Sequence, residues 1–146
     1  MKRNTAVGKV GIVLLVCFLL TGCISRRVQP AAPQAIDLIC IRENKDVLME
    51  GFLPNLQEEI HRKKILTEVF SAAPPDYCVY TMTYTANWRW DLAMYLSYAR
   101  IDLYKNRNPI GEVVFDASFA GLDLRKLASA QSKIDPLLAE LLQNAR

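Results

Sequence analysis

The sequence contains a single histidine, His61, in 146 residues. It has no P-loop, no G-x-S-x-G, no H-E-x-x-H and no Gly-rich dinucleotide turn. These absences remove the common signatures of nucleotide, hydrolase and metalloprotease chemistry. A tetrahedral metal site is disfavoured too, because one histidine and a few cysteines supply no ligand set with recognisable spacing. No acidic residue precedes Asp37. No apolar run approaches the roughly 20 residues of a spanning helix; the longest, Val10 to Leu20, has 11. No internal repeat is visible.

What stands in place of acids at the start is an export pattern. Lys2, Arg3 and Lys9 precede Val10–Leu20, and small residues follow it. A basic start, a short apolar segment and a small-residue cut site make a signal peptide. The tetrad Leu20-Thr21-Gly22-Cys23 resembles the lipobox of bacterial lipoproteins. That resemblance implies a diacylglyceryl group on the Cys23 sulfur, cleavage before Cys23 and acylation of the new amino terminus. The reading is signal peptide 1–22, a lipidated Cys23 with a flexible tether over 23–35, and a periplasmic domain over 36–146. Pro30, Pro33 and the lack of hydrophobic period over Ile24–Ala35 support the tether.

Processing changes the composition. The formal charge of +3 comes from Lys2, Arg3 and Lys9, so the mature chain is formally neutral. A nucleic-acid partner is not expected without a basic patch. Arg26-Arg27 sits beside the lipid, within reach of anionic headgroups. Cys17 leaves with the signal and Cys23 takes the lipid. Cys40 and Cys78 remain, and an even remainder in an oxidising compartment favours a disulfide. Two buried free thiols are the alternative.

The remainder reads as a small α+β domain. Ile36–Ile41 is a buried strand. Leu48, Phe52, Leu56 and Ile60 recur every four residues and define an amphipathic helix, with Asn44 and Asp46 as N-cap candidates. Pro54 either kinks this helix or marks its true first turn. Ile65–Phe70 is a strand, and 71–76 is a loop. Alternation from Cys78 to Ala86, and again from Leu92 to Ala99, gives two more strands. Asn106–Pro109 is a turn, and Ile110–Phe119 is the last strand. Leu127, Ile134, Leu138, Leu141 and Ala145 share a face of one helix kinked at Pro136, unless Asp135-Pro136 starts it. The order β-α-β-β-β-β-α predicts a single domain with an antiparallel sheet of four or five strands. Two helices pack on one face.

Chemistry-bearing residues are sparse. His61 reads as an exposed residue at a helix end. Glu58-Glu59 point apart on a helix and read as a solvated face. The richest stretch is Tyr80–Tyr98, with both tryptophans and four of the six tyrosines. Trp88 and Trp90, two apart on a strand, point the same way. They form a candidate aromatic platform for a sugar ring or a protein partner, with Arg89 and Asp91 beside it. The alternative is core filler, with Arg89 and Asp91 paired on the opposite face.

Tyr84-Thr85-Ala86-Asn87-Trp88-Arg89-Trp90-Asp91-Leu92-Ala93-Met94-Tyr95-Leu96, with Ile110-Gly111-Glu112 and the lipobox, resembles a family of short gram-negative bacterial lipoproteins. The resemblance implies a location and a single-domain form, and carries no activity. Ile24 rather than Asp after Cys23 implies the periplasmic face of the outer membrane. The expectation is a membrane-anchored, non-enzymatic interaction or envelope-assembly protein without a cofactor, with an envelope protein as partner. A glycan or small-ligand module built on Trp88 and Trp90 is the alternative, and an unrecognised envelope enzyme the remoter one.

Overall fold

The computed structural model describes residues 23–49 and 51–145. The signal segment 1–22, with Cys17 and the first three lipobox residues, lies outside the described residues. Six strands are formed: β1 Cys23–Gln29, β2 Leu38–Arg42, β3 Leu66–Phe70, β4 Tyr80–Asp91, β5 Ala93–Lys105 and β6 Asn108–Phe119. Helix α1 spans Phe52–Arg62 and α2 spans Ala130–Leu141, preceded by a 3-10 turn at Leu124–Leu127.

The strands form one sheet in the order β1-β6-β5-β4-β2-β3. β2 is parallel to both β3 and β4, and the other pairs are antiparallel. The α+β class is as expected. The sheet corrects the finer expectation: it has six strands rather than four or five, and it is mixed rather than antiparallel. The extra strand comes from the segment expected to be a tether. Cys23–Gln29 pairs along β6 from Cys23↔Phe119 to Gln29↔Glu112. Ile24 and Val28 pack against the core, and backbone hydrogen bonding replaces the missing hydrophobic period.

Alternation sets one face of the sheet inward. Met82, Tyr84 and Ala86 of β4, Ala99, Ile101 and Leu103 of β5, and Val113, Phe115 and Ala117 of β6 are all buried. Phe52, Leu56 and Ile60 of α1 and Ile134, Leu138 and Leu141 of α2 cover them in one cluster. Each such side chain contributes about 1.5–3 kcal/mol on burial. The opposite face carries an ion-pair ladder. Glu112 accepts from Arg27 at 2.7 Å and from Arg100 at 2.7 Å, and Arg100 also reaches Asp102 at 2.9 Å. The hydrogen bonds to Asp102 and its charge hold the Arg100 guanidinium above its usual range.

The helix boundaries differ from the periodic reading. Gly51 has φ 90°, a left-handed conformation suited to glycine, and the helix starts only after it. Pro54 therefore lies in the first turn, where its missing N–H costs nothing. Leu48 falls outside the helix and is exposed; the four-residue spacing that includes it is coincidental. Asn44 caps no helix. Its N–H and side-chain amide instead bond Tyr84 Oη at 3.3 Å and Tyr84 O at 2.8 Å, fixing the loop after β2. Pro136 sits inside α2, and the helix starts at the Ser129 cap, whose hydroxyl accepts from the Ser132 N–H. Leu127 belongs to the 3-10 turn, not to that helix.

Candidate functional site

β4 and β5 make a long hairpin whose inner half is core and whose outer half leaves it. Trp88 continues the inward row of Met82, Tyr84 and Ala86 but is only half-buried. Its ring meets Phe52 edge-on, with centroids 5.7 Å apart and planes at 90°, a favourable aromatic geometry. The pairing register shifts between Asn87 and Trp88, which face Tyr98 and Leu96. Ser97 is the extra residue of this bulge, and its hydroxyl donates to Asn87 O at 3.0 Å. A bulge increases twist and re-aims the strand beyond it.

Past the bulge the hairpin projects. Trp90 and Met94 face each other across the pair, and both are exposed, Trp90 to 73%. Leu92 forms the tip with φ 61°, a conformation costing a non-glycine residue about 1–2 kcal/mol. Asp91 Oδ2 accepts from Lys126 Nζ at 2.5 Å, and the same ammonium donates to Gly121 O. Arg89 donates to Ser118 O at 3.3 Å. Arg89 and Asp91 are therefore not paired with each other. Arg89 ties the hairpin to the end of β6, and Asp91 ties it to the segment after β6.

Trp88 and Trp90 differ in their surroundings. Trp88 and Arg89 border a cleft of about 800 Å³ between the hairpin and the loop after β2, with Asp46, Met49, Asn87 and Tyr98. Trp90 lies outside that lining. Trp88 is thus part core and part wall, and Trp90 is surface.

The cysteines divide as their number suggests. Cys40 and Cys78 form a disulfide with Cα atoms 6.0 Å apart, which suits an oxidising compartment outside the cytosol. It pins the loop before β4 to the buried strand β2. Among the described residues Cys23 is the free cysteine, and it is exposed at the first position of β1. His61 is exposed on the last turn of α1, with Nε2 2.8 Å from Thr67 Oγ1. Glu58 is exposed, but Glu59 is buried and bonds Arg62 at 2.7 Å, so the solvated-face reading holds for only one of the pair. Among the described residues no three His, Cys, Asp or Glu side chains gather as a metal site, and no helix is long and apolar enough to cross a membrane.

Two lysines that the sequence pattern does not mark are buried. Lys126 and Lys133 are almost wholly enclosed. Lys133 Nζ lies 5.5 Å from the Phe115 ring centroid and 5.9 Å from that of Tyr95, and donates to the carbonyls of Lys126 and Leu96. Burial, and to a lesser degree Arg26, push its pKa below the usual lysine value. Helical spacing sets Lys133 off the apolar face of Ile134, Leu138 and Leu141, yet α2 buries it together with Ile134 and Leu137.

No protein-family model matches the chain, and no curated protein matches it. Solved structures do. The chain is similar in fold to a PelC dodecamer from Paraburkholderia phytofirmans in space group P6. The TM-score is 0.56 at 12% identity, over 84% of this chain and 98% of that one. A point variant of the same PelC dodecamer in space group C2 gives 0.53 at 14% identity, over 85% and 99%. The chain therefore shares with PelC a fold that spans nearly the whole of the described domain.

Proposed function

We propose that this protein is a lipid-anchored envelope lipoprotein with a non-enzymatic interaction role. The observation that carries the reading is the division of cysteines. Cys40 and Cys78 are joined, and the exposed Cys23 at the end of Leu20-Thr21-Gly22-Cys23 is left for acylation. Ile24 after it points to the periplasmic face of the outer membrane. Three acyl chains, at about 0.8 kcal/mol per buried methylene, make such an anchor practically permanent. Confinement to a surface raises the effective concentration of anchored partners. The PelC chains of like fold are dodecamers, which supports a further copy of this chain as one partner. Palmitate labelling of the native protein and of Cys23→Ala tests the anchor: label on the native protein alone is expected, and equal labelling ends the reading.

A glycan or small-ligand module is the second reading, favoured by the cleft beside Trp88. That cleft sets one aromatic wall against Asn87, Arg89, Asp46 and Tyr98, the mixture that carbohydrate rings use. Envelope glycans added to the protein should then change the Trp88 emission, and Trp88→Phe should abolish the change. An unaltered spectrum at millimolar glycan would remove this alternative.

A further inference from the structure

Resting on the lipoprotein reading, we propose that the end of the sheet bearing Cys23 is a membrane-contact surface, inserted at the headgroup level of the bilayer that holds the lipid.

Three observations converge on one end of the domain. The first is the distribution of exposed apolar side chains. Of the twelve large ones among the described residues, eight lie at this end. Trp90, Leu92 and Met94 cap the β4–β5 hairpin. Leu48 (88% exposed) and its neighbour Met49 occupy the loop after β2. That loop lies at the same end because β2 runs parallel to β4. Phe119 (82% exposed), Leu122 and Leu124 follow β6. Soluble surfaces scatter such side chains; gathered in one place they mark an interface.

The second observation is where the chain enters. Cys23 pairs directly with Phe119, so β1 begins at the residue expected to carry the lipid. No slack separates the anchor from the sheet. Strands β6 and β5 lie between β1 and β4. At about 4.8 Å per strand spacing, Met94 on β5 and Trp90 on β4 lie two and three spacings from Cys23 across the sheet, roughly 10 and 14 Å. Because β5 runs antiparallel to β6, the hairpin tip and the last β6 residues lie toward the same end of the sheet. Acyl chains entering a bilayer at Cys23 bring this whole end to the lipid surface.

The third is the chemistry of the patch. Tryptophan with leucine, methionine and phenylalanine matches the boundary between headgroups and hydrocarbon, where tryptophan is enriched. Arg89, exposed beside Trp90, offers a cation to a lipid phosphate. The hairpin and the segment after β6 are held together by Asp91 and Lys126, so the apolar side chains are presented by a braced unit.

The test uses the full acylated protein, native and Trp90→Phe, in phosphatidylcholine–phosphatidylglycerol vesicles with and without brominated acyl chains. Trp90 is exposed, so the substitution leaves the core intact, and the emission lost in Trp90→Phe belongs to Trp90. The inference expects that component to be blue-shifted, shielded from aqueous iodide and roughly halved by brominated lipid, as for an interfacial tryptophan. Vesicle-bound protein with acyl mass on Cys23 but a red, iodide-accessible, bromine-insensitive Trp90 overturns the inference and leaves the lipoprotein reading intact. Shielding from both quenchers in a multi-copy particle overturns it in favour of a subunit interface. Absence of acyl mass on Cys23 defeats both.

Discussion

Lys126 Nζ lies 2.5 Å from Asp91 Oδ2, joining a nearly enclosed ammonium to a half-exposed carboxylate at the hairpin tip. The same nitrogen donates to Gly121 O, so one cation braces the hairpin and the segment after β6. Asp91→Asn leaves that charge without its counter-ion. Because the carboxylate is half in water, the expected loss is about 1–2 kcal/mol, below the range for fully buried pairs. Lys126→Met removes the charge, and the double variant should recover much of the loss. Urea unfolding of the four proteins measures the coupling. A coupling near zero would show that Gly121 O alone satisfies Lys126.

The Cys40–Cys78 disulfide spans a sequence separation of 38 residues. The chain-entropy account gives about 4 kcal/mol for such a loop. Cys40→Ala with Cys78→Ala should lower stability by about that much and release the loop before β4 to proteolysis, while β4–β6 stay paired. Denaturant unfolding with limited proteolysis reads both effects. A stability change below about 1 kcal/mol would mean that the loop is held by its other bonds, such as Tyr77 to Glu68.

These relationships differ in how far they were legible beforehand. The inward row of β4 follows from strict alternation in the sequence, and Cys40 with Cys78 follows from compartment and parity. The alternation over Leu92–Ala99 misplaces β5, which runs on to Lys105, exposes Leu92 and Met94, and turns Ala99, Ile101 and Leu103 inward beyond the bulge. Leu56 and Ile60 mark α1 correctly. Leu48 misleads, because spacing is blind to the positive φ of Gly51, which starts the helix one turn later. β1 is invisible by pattern. Only Ile24 and Val28 of Cys23–Gln29 pack inward, and the partner that makes the segment a strand lies some ninety residues away in β6. The tryptophan pair was legible as unusual content, but the Ser97 bulge, which lies just before both of them on the core side and re-aims the hairpin, has no local signature. Lys126 and Lys133 were hidden because charged residues read as solvent-facing until their carbonyl partners are placed.

Gly111 shows what the strand β1 and helix α2 require of β6. A Cβ there would meet Leu141 Cδ1 at 2.6 Å, Gln29 O at 3.1 Å and Ala31 N at 3.3 Å. The leucine tip can rotate, but the two backbone atoms cannot withdraw without loosening β1 and the Ala31 N–H bond to Leu141 O. Gly111→Ala should cost about 1–3 kcal/mol, as overpacking does. Gly51→Ala meets nothing within 4 Å, so its cost should be only that of a left-handed residue, about 1–2 kcal/mol. Thermal unfolding measures both costs, and amide exchange distinguishes them, with faster opening of β1 expected in Gly111→Ala alone. Equal protection of β1 in both would refute the packing role assigned to Gly111.

Lys133 makes stability depend on pH in a direction that can be worked out. Burial lowers its folded pKa beneath the value of the unfolded chain, about 10.4. Between those two values the unfolded state holds a proton that the folded state lacks, so stability rises with pH across that window. Conversely, the contribution is present in full above the unfolded pKa and is lost as pH falls through the folded one. Neighbouring Arg26 adds to the effect, and the rings of Tyr95 and Phe115 oppose it by accepting the cation. Lys133→Met keeps the aliphatic packing and removes the titration. Its unfolding free energy should lack the alkaline rise expected of the native protein, although the carbonyls of Lys126 and Leu96 lose their donor. Urea midpoints measured at several values from about pH 7 to the lysine range test this. Parallel pH profiles for the two proteins would show that Lys133 stays charged in its enclosure, with the two carbonyls and two rings sufficient to hold it.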